Sequence, residues 1–424
     1  MWVRHLDAAR SGRGGTARAP SGAPRGARGR ARHRAHHDHH PGLGADVRQE
    51  AELGVTAVVA APYQPSRWLG GPSPFGLVLP DATPSPSTMY APRGVCLAPG
   101  AVIAADTGNH RLLIWQSEHP ADDHADADVV VGQPDMQSEG PSLFFLPTGV
   151  MVLPDGRLVV CDAWHHRLLV WDEVPRRSAT PPSMVLGQDD LDGVTEGCGP
   201  DRFYWPFGAA LVGDVFWLAD TGNRRVLGWR GGLPQPGQGA DIVLGQPDLW
   251  SRGENRDGPV ARNSLRWPHA IAHTGDVLLV ADAGNHRVLG WHGELDGERP
   301  ADTVLGQPGF DSAVEFPYRP QGPRAFRFPY GVATTPEGGL VVADTSNNRL
   351  CIVDDLQATL ADQPLGGAVD HVLGQPDLDA NGENRWDRVA HDSFCWPYGV
   401  DADGQRLAVA DSGNNRIVLW NRED

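Results

Sequence analysis

The chain has 424 residues, a formal net charge of −17 and 40% hydrophobic residues. Gly and Pro are abundant, at 52 and 37 residues, but stay below the level typical of a disordered chain. The 14 Trp, 11 Phe and 6 Tyr provide enough large side chains for a core. No apolar run reaches about 18 residues, which excludes a transmembrane helix.

Charge divides the chain into two parts. Residues 1–48 contain ten Arg and three Asp, a balance of +7, which leaves −24 for the remainder. A body this acidic repels a phosphate backbone, so we expect no nucleic-acid binding by it. Only the first segment could attract nucleic acid or an anionic surface.

Residues 1–50 are rich in Arg, Gly and His and show no hydrophobic period. Such a segment cannot bury enough apolar area to offset its ordering entropy. We therefore expect a disordered tail, or an upstream stretch included through a misplaced start codon. Its five clustered histidines could bind a transition metal loosely. They are His33, His36, His37, His39 and His40.

The cysteines indicate a reducing compartment. Their number is odd and no CxxC pair occurs, which fits neither a disulfide framework nor a zinc site. They are Cys96, Cys161, Cys198, Cys351 and Cys395. Since no apolar stretch of a secretory signal follows the first charges, we expect a cytoplasmic protein.

One motif recurs six times: an Asp, two residues, an Asn or His, one further residue and an Arg. Successive copies stand 56 to 67 residues apart, beginning with DTGNHRL and DAWHHRL. The Asp and Arg pairs are Asp106 and Arg111, Asp162 and Arg167, Asp220 and Arg225, Asp282 and Arg287, Asp344 and Arg349, and Asp411 and Arg416.

Each motif lies within a longer unit that reads as four short strands. A Pro-x-Gly or Pro-x-Ala turn precedes it and a VLGQPD-like stretch follows five of the six copies. The stretches GVMVL (149–153), RLVVCD (157–162) and RLLVW (167–171) are aliphatic and bounded by turn residues, as strands are. Six such units predict an all-β, six-bladed propeller over residues 51–424.

The motif resembles the NHL repeat, whose name comes from an Asn-His-Leu-like run. Here that run is Asn109-His110-Arg111-Leu112 and Asn285-His286-Arg287-Val288. The resemblance covers residues of about 66–424. It implies the propeller fold, whereas NHL propellers serve many roles.

The last unit stops at Trp420, after its third strand. A closed ring then needs a fourth strand from elsewhere, because an unpaired edge invites association. Two N-terminal stretches could supply it, WLGGP (68–72) or LVLPD (77–81).

We interpret the recurring Asp and Arg as structural, since a catalytic residue would not be needed six times. The Asp can cap its own turn by accepting backbone N–H groups. The Asn or Gly of the turn tolerates positive φ. The Arg can then pair with an Asp carboxylate.

The stretch DLDANGEN (377–384) resembles the first half of a calcium-binding loop. The closing Glu of an EF-hand would fall at Arg388, however, and the sibling DLWSRGEN (248–255) keeps the turn while losing the ligands. We therefore interpret this stretch as a recurring acidic turn and predict no metal site and no cofactor.

The residue inside each Pro-x-Gly turn should lie at the channel mouth, at the start of an innermost strand. The six residues are Arg93, Thr148, Phe207, His269, Tyr330 and Tyr398. One His among six does not make a metal site. A largely aromatic ring suits a peptide or a small, partly apolar ligand. Alternatively, these side chains simply plug the channel.

The favoured function is a non-enzymatic scaffold that binds a protein or peptide on one face. No Ser-His-Asp, Walker-type or Cys-His signature is visible. The alternative is a propeller enzyme, a metal-dependent lyase or lactone hydrolase acting in the central cavity, as some propellers with NHL-like repeats are.

Overall fold

The computed structural model describes residues 62–71 and 83–423. The N-terminal tail with its histidine cluster and the LVLPD stretch lie outside the described residues. The strands of the described chain are short and form six sheets.

The six sheets are the blades of a β-propeller, and each contains four antiparallel strands in the order inner, second, third and outer. The strands of blades 1 to 3 are Gly94–Ala98, Ala101–Asp106, Arg111–Trp115 and Val129–Val131; Pro147–Val152, Leu158–Asp162, Arg167–Trp171 and Met184–Leu186; and Pro206–Val212, Val215–Asp220, Arg225–Arg230 and Ile242–Leu244.

Blades 4 to 6 repeat this order. Their strands are Pro268–Thr274, Val277–Asp282, Arg287–His292 and Thr303–Leu305; Pro329–Thr334, Leu340–Asp344, Arg349–Val353 and His371–Leu373; and Pro397–Ala402, Arg406–Asp411, Arg416–Arg422 and Tyr63–Leu69. Neighbouring inner strands contact one another around the whole circle, from blade 1 to blade 6 and back. The predicted six-bladed fold is thus confirmed.

An N-terminal strand closes the last blade, as predicted. Tyr63–Leu69 pairs antiparallel with Arg416–Arg422, with Tyr63 opposite Arg422 and Leu69 opposite Ile417. The strand lies mostly before WLGGP and includes only its first two residues. Gly70 then leaves the strand at a φ of 115°.

The core lies between the blades. In the first interface, Ile103 and Leu112 of blade 1 pack with Leu158 and Val160 of blade 2, all fully buried. Equivalent clusters fill the other five interfaces. Because every blade is covered on both sides, its strands are apolar on both faces, as their sequences show.

The repeat pattern did not predict two small elements of blade 5. The helix Leu356–Asp362 follows the third strand and is capped by Asp355, which accepts the N–H of Ala358. The short strand Leu365–Gly367 then pairs with Thr303–Leu305 of blade 4. No helix of the described chain has the length and apolarity needed to span a membrane.

Antiparallel order places particular connections at each end of the propeller. All inner strands start at one end, which we call the ring face. The six motif turns and the long connections from each outer strand to the next inner strand lie at the same end. The hairpins after the inner strands and the connections after the third strands lie at the opposite end, which we call the far face.

Candidate functional site

The motif Asp and Arg form one buried ion pair in each blade. Arg Nε donates to Asp Oδ2 over 2.6 to 2.9 Å in all six pairs. Both side chains of every pair are almost fully buried. These groups therefore have no access to a ligand.

The expectation that the Asp caps its own turn is wrong. In blade 4, Asp282 Oδ1 accepts the N–H of Arg266, two residues before the inner strand, and Oδ2 accepts from Asn285 and Arg287. None of the six motif turns has a side-chain cap. The carboxylate instead fixes the start of the inner strand, which lies beside it in the sheet.

The Arg fixes the two ring-face connections on either side of it. Arg287 Nη1 donates to the carbonyl of Phe310 at 2.6 Å, in the connection after blade 4. Nη2 donates to the carbonyls of Ala261 and Ser264, in the connection before it. The long connections are thereby tied to the rigid blades.

Positive φ falls on the residue before the Arg, which is the expected Asn in blades 5 and 6 but a His or Arg in blades 1 to 4. These residues are His110, His166, Arg224, His286, Asn348 and Asn415, with φ from 53° to 57°. Five of them accept the N–H of the residue that precedes the Pro of the next blade, as Phe328 N donates to His286 Nδ1 at 3.2 Å. This bond links each blade to its successor.

Arg224 is the exception, because a guanidinium has no acceptor atom. The residue it would have bonded, Trp267, lacks the positive φ found at the other five positions. The carbonyl of Trp267 is bonded instead to Nδ1 of His269 at 2.9 Å. Burial and the nearby Arg93 charge lower the pKa of His269 to about 3, so it is neutral near pH 7.

The predicted channel-mouth residues do form a ring, and five of them stack in sequence. Ring centroids are 4.5 Å apart for Phe207 and His269, 4.4 Å for His269 and Tyr330, and 4.3 Å for Tyr330 and Tyr398. The Arg93 guanidinium then lies 4.9 Å from the Tyr398 centroid. Burial, with Tyr398 next to it, raises the pKa of Tyr330 well above its ordinary value.

Thr148 does not take part in this stack, because its side chain is too short. Its hydroxyl donates to the carbonyl of Phe207 at 3.1 Å. The Trp164 ring fills the gap. Its centroid lies 5.8 Å from the Phe207 centroid and 6.0 Å from the guanidinium carbon of Arg93. The sequence analysis missed Trp164, although it stands where four of the six motifs have Gly.

Below the ring, the inner strands line a central cavity of about 390 Å³. Many of its lining residues are aliphatic, Val95, Ile271 and Val400 among them, but its wall exposes polar and apolar surface in about equal shares. Towards the far face it contains Asp401, which accepts the N–H of Leu97 at 2.7 Å. Burial raises the pKa of Asp401 to about 6.

Exposed apolar side chains concentrate on the ring face. Ten large apolar side chains are exposed in the described chain, and nine of them lie in connections between an outer strand and the next inner strand. The nine are Tyr90, Leu191, Val194, Trp250, Val314, Phe316, Tyr318, Trp386 and Trp396. Leu365, towards the far face, is the exception.

The acidic turn at 377–384 is a recurring backbone turn. Asp377 Oδ1 accepts the N–H groups of Asp379 and Ala380, and Asp248 does the same for its own turn. Within the ranges that the structure describes, no three His, Cys, Asp or Glu side chains gather closely enough to hold a metal ion.

Comparisons with known proteins concern the repeat and the fold. The sequence profile of the NHL repeat matches residues 146–171 and 326–353, which span the first three strands of blades 2 and 5. No curated protein sequence matches the chain.

Similar solved structures include a protein of unknown function from Bacteroides thetaiotaomicron, at 14% identity, covering 85% of this chain and 76% of that one with a TM-score of 0.47. The WD40 propeller domain of Doa1 is 11% identical; the match covers 85% of this chain and 97% of that domain, with a TM-score of 0.45. Virginiamycin B lyase from Staphylococcus aureus is 10% identical; the match covers 80% of this chain and 98% of the lyase, with a TM-score of 0.42.

The repeat profile matches two blades, and the same motif, ion pair and strand order recur in all six. The chain is therefore a six-bladed β-propeller that contains NHL repeats, which the profile matches in two of its blades.

Proposed function

We propose that the chain is a binding scaffold that holds a protein or peptide partner on its ring face and does not catalyse a reaction. The concentration of exposed apolar side chains on that face carries the proposal. Aromatic residues are enriched in the centres of interfaces, and six of these nine exposed side chains are aromatic.

The conformation of Trp386 supports this proposal. Its side chain is 79% exposed, and Asn384, Arg385 and Trp386 all have φ between 49° and 60°. A left-handed conformation costs about 1–2 kcal/mol for an ordinary L-residue. The same conformation recurs at residues 255–257, where the third residue is Asp257, so the turn belongs to the repeat, and at position 386 it presents a tryptophan to solvent.

The ring-face connections are also fixed in advance. Asn384 exchanges two side-chain hydrogen bonds with Asn414, at 2.8 and 3.0 Å, and Asn255 does the same with Asn285. The buried motif arginines hold the same connections through their carbonyls. A surface ordered before binding loses little entropy on association, which favours a recognition role.

The alternative, an enzyme acting in the central cavity, has less support. The two titratable groups of the cavity with shifted pKa values, His269 and Asp401, lie near opposite ends of the channel. His269 is the second residue of the inner strand Pro268–Thr274, whereas Asp401 is next to last in the inner strand Pro397–Ala402. A general acid and base need to reach one substrate atom or its neighbours.

The test is selection of a random displayed peptide library on the full chain. The binding variant combines Trp250→Ser, Tyr318→Ser and Trp386→Ser, and the control is Leu365→Ser towards the far face. We expect selected peptides to bind wild type and control equally and to bind the triple variant at least about tenfold more weakly. Failure to select any peptide, or equal binding to all three proteins, would contradict the proposal.

A further inference from the structure

Arg93 differs from the other arginines at the centre of the propeller. The six motif arginines each have a carboxylate partner, as Arg287 has Asp282. Arg93 has none among the residues at 62–71 and 83–423. Its Nε is buried and lacks a hydrogen-bond acceptor in that part of the chain, and the side chain lines the mouth of the central cavity.

The surroundings of Arg93 are aromatic on two sides. The ring centroids of Tyr398 and Trp164 lie 4.9 Å and 6.0 Å from the guanidinium carbon of Arg93. Both distances are within the range of cation–π attraction. These contacts hold the cation in place but satisfy none of its N–H donors. His269, also in the ring, is uncharged near pH 7. The mouth thus holds one permanent positive charge with unused donors.

These features point to a specific chemical group. The planar guanidinium donates two parallel hydrogen bonds to a carboxylate. One cation balances one negative charge, and the body beyond residue 48 carries −24, which disfavours a dianionic phosphate. The aliphatic side chains that line the cavity below can pack against an apolar group next to the acid.

We infer that Arg93 receives a carboxylate of the bound partner at the channel mouth, either a peptide C-terminus or an Asp or Glu side chain. This inference rests on the proposed scaffold function and specifies its ligand. Tyr398 and Trp164 pack against the apolar flank of the acidic group. The bound carboxylate also gives the Arg93 donors the acceptors that they lack.

The experiment uses peptides selected on the full chain. Each is compared with its C-terminal amide and with versions in which Asp becomes Asn or Glu becomes Gln, which separates the two sources of the carboxylate. Affinities are measured for wild type, Arg93→Met, Arg93→Lys and the control Arg224→Met, which removes a positive charge from the same face. Melting curves verify that each variant is folded.

We expect one of the amide replacements, and Arg93→Met, to weaken binding at least about tenfold. Arg93→Lys should fall in between, and Arg224→Met should bind like wild type. Peptides that depend on Trp250, Tyr318 and Trp386 but bind equally well as amides, or equally well to Arg93→Met, would overturn the inference while leaving the scaffold function intact.

If selection yields no peptide, the scaffold proposal fails and a small probe decides the question of Arg93. Phenylacetate and its neutral isostere phenylacetamide are titrated by ligand-observed NMR. We expect the acid alone to bind wild type and to lose binding on Arg93→Met. Equal behaviour of acid and amide, or of the two proteins, would overturn the carboxylate site.

Discussion

The buried ion pairs allow a quantitative prediction for Arg287→Met. The Arg287 side chain is fully buried and makes four polar contacts, to Asp282, Phe310, Ala261 and Ser264. Methionine preserves most of the apolar stem but none of these bonds. Asp282 then remains buried without a cation, and three carbonyls lose their donor.

The expected loss of unfolding free energy is large. Removing one partner of a buried pair costs about 3–5 kcal/mol. A buried carbonyl left without a donor adds about 1–3 kcal/mol unless water reaches it. The carbonyls of Phe310 and Ala261 are only partly buried and can bond water, whereas that of Ser264 is buried, so we expect a loss of at least about 4 kcal/mol.

The assay is urea unfolding followed by tryptophan fluorescence. The control is Arg157→Met, which removes an exposed ion pair with Asp155 and should cost less than about 1 kcal/mol. The double variant Asp282→Asn, Arg287→Met should lose less than the sum of the single losses, because no charge is left unpaired. A loss for Arg287→Met no larger than that of Arg157→Met would refute the structural role of the motif.

Two further predictions concern acid and chain closure. Burial lowers the pKa of His166 and His286 to about 4 from 6.5, so at these two positions the unfolded chain binds more protons between these values; the stability that the two histidines contribute should be complete above pH 6.5 and fall towards pH 4. His286→Asn, which keeps an acceptor as in blades 5 and 6, should reduce that fall in urea titrations, and an unchanged pH profile would contradict the linkage. A chain that begins at residue 62 should melt near the wild-type temperature, whereas one that begins at residue 72 should melt well below it, since the last blade loses its outer strand; equal melting temperatures would exclude Tyr63–Leu69 as the closing strand.

The fold could be predicted because six copies of one pattern constrain each other. Each unit alone is a set of short aliphatic stretches, but the regular spacing of Asp and Arg fixes four strands per blade. The missing outer strand after Trp420 also indicated where closure occurs. The bounds of the closing strand could not be predicted, because YQPSRWL (63–69) lacks the aliphatic pattern of the other outer strands.

The ring was only partly predictable. Equivalent positions in six repeats lie at equivalent places in space, which placed Phe207, Tyr330 and Tyr398 together. Trp164 comes from a different position of its repeat, and reaches the ring because Thr148 leaves space there. Repeat alignment alone cannot detect such a replacement; a Trp at a position that usually holds Gly is the signal to look for.

The hydrogen bonds between blades could not be predicted from the sequence, for a different reason. They join residues 36 to 48 positions apart along the chain in four cases, as His110 and Leu146, and they require a left-handed residue that is not glycine. The six positions hold three His, two Asn and one Arg, Arg224, and this choice of residues becomes meaningful only once the acceptor role is known. Exposure of the ring-face aromatics likewise depends on how the long connections fold.

The most direct test of the scaffold role is a crystal structure of the chain with a selected peptide. We predict that the peptide lies across the ring face, in contact with Tyr318 or Trp386, and that its carboxylate meets Arg93. A peptide bound at the far face, next to Leu365, or wholly inside the channel near Asp401 would contradict the account.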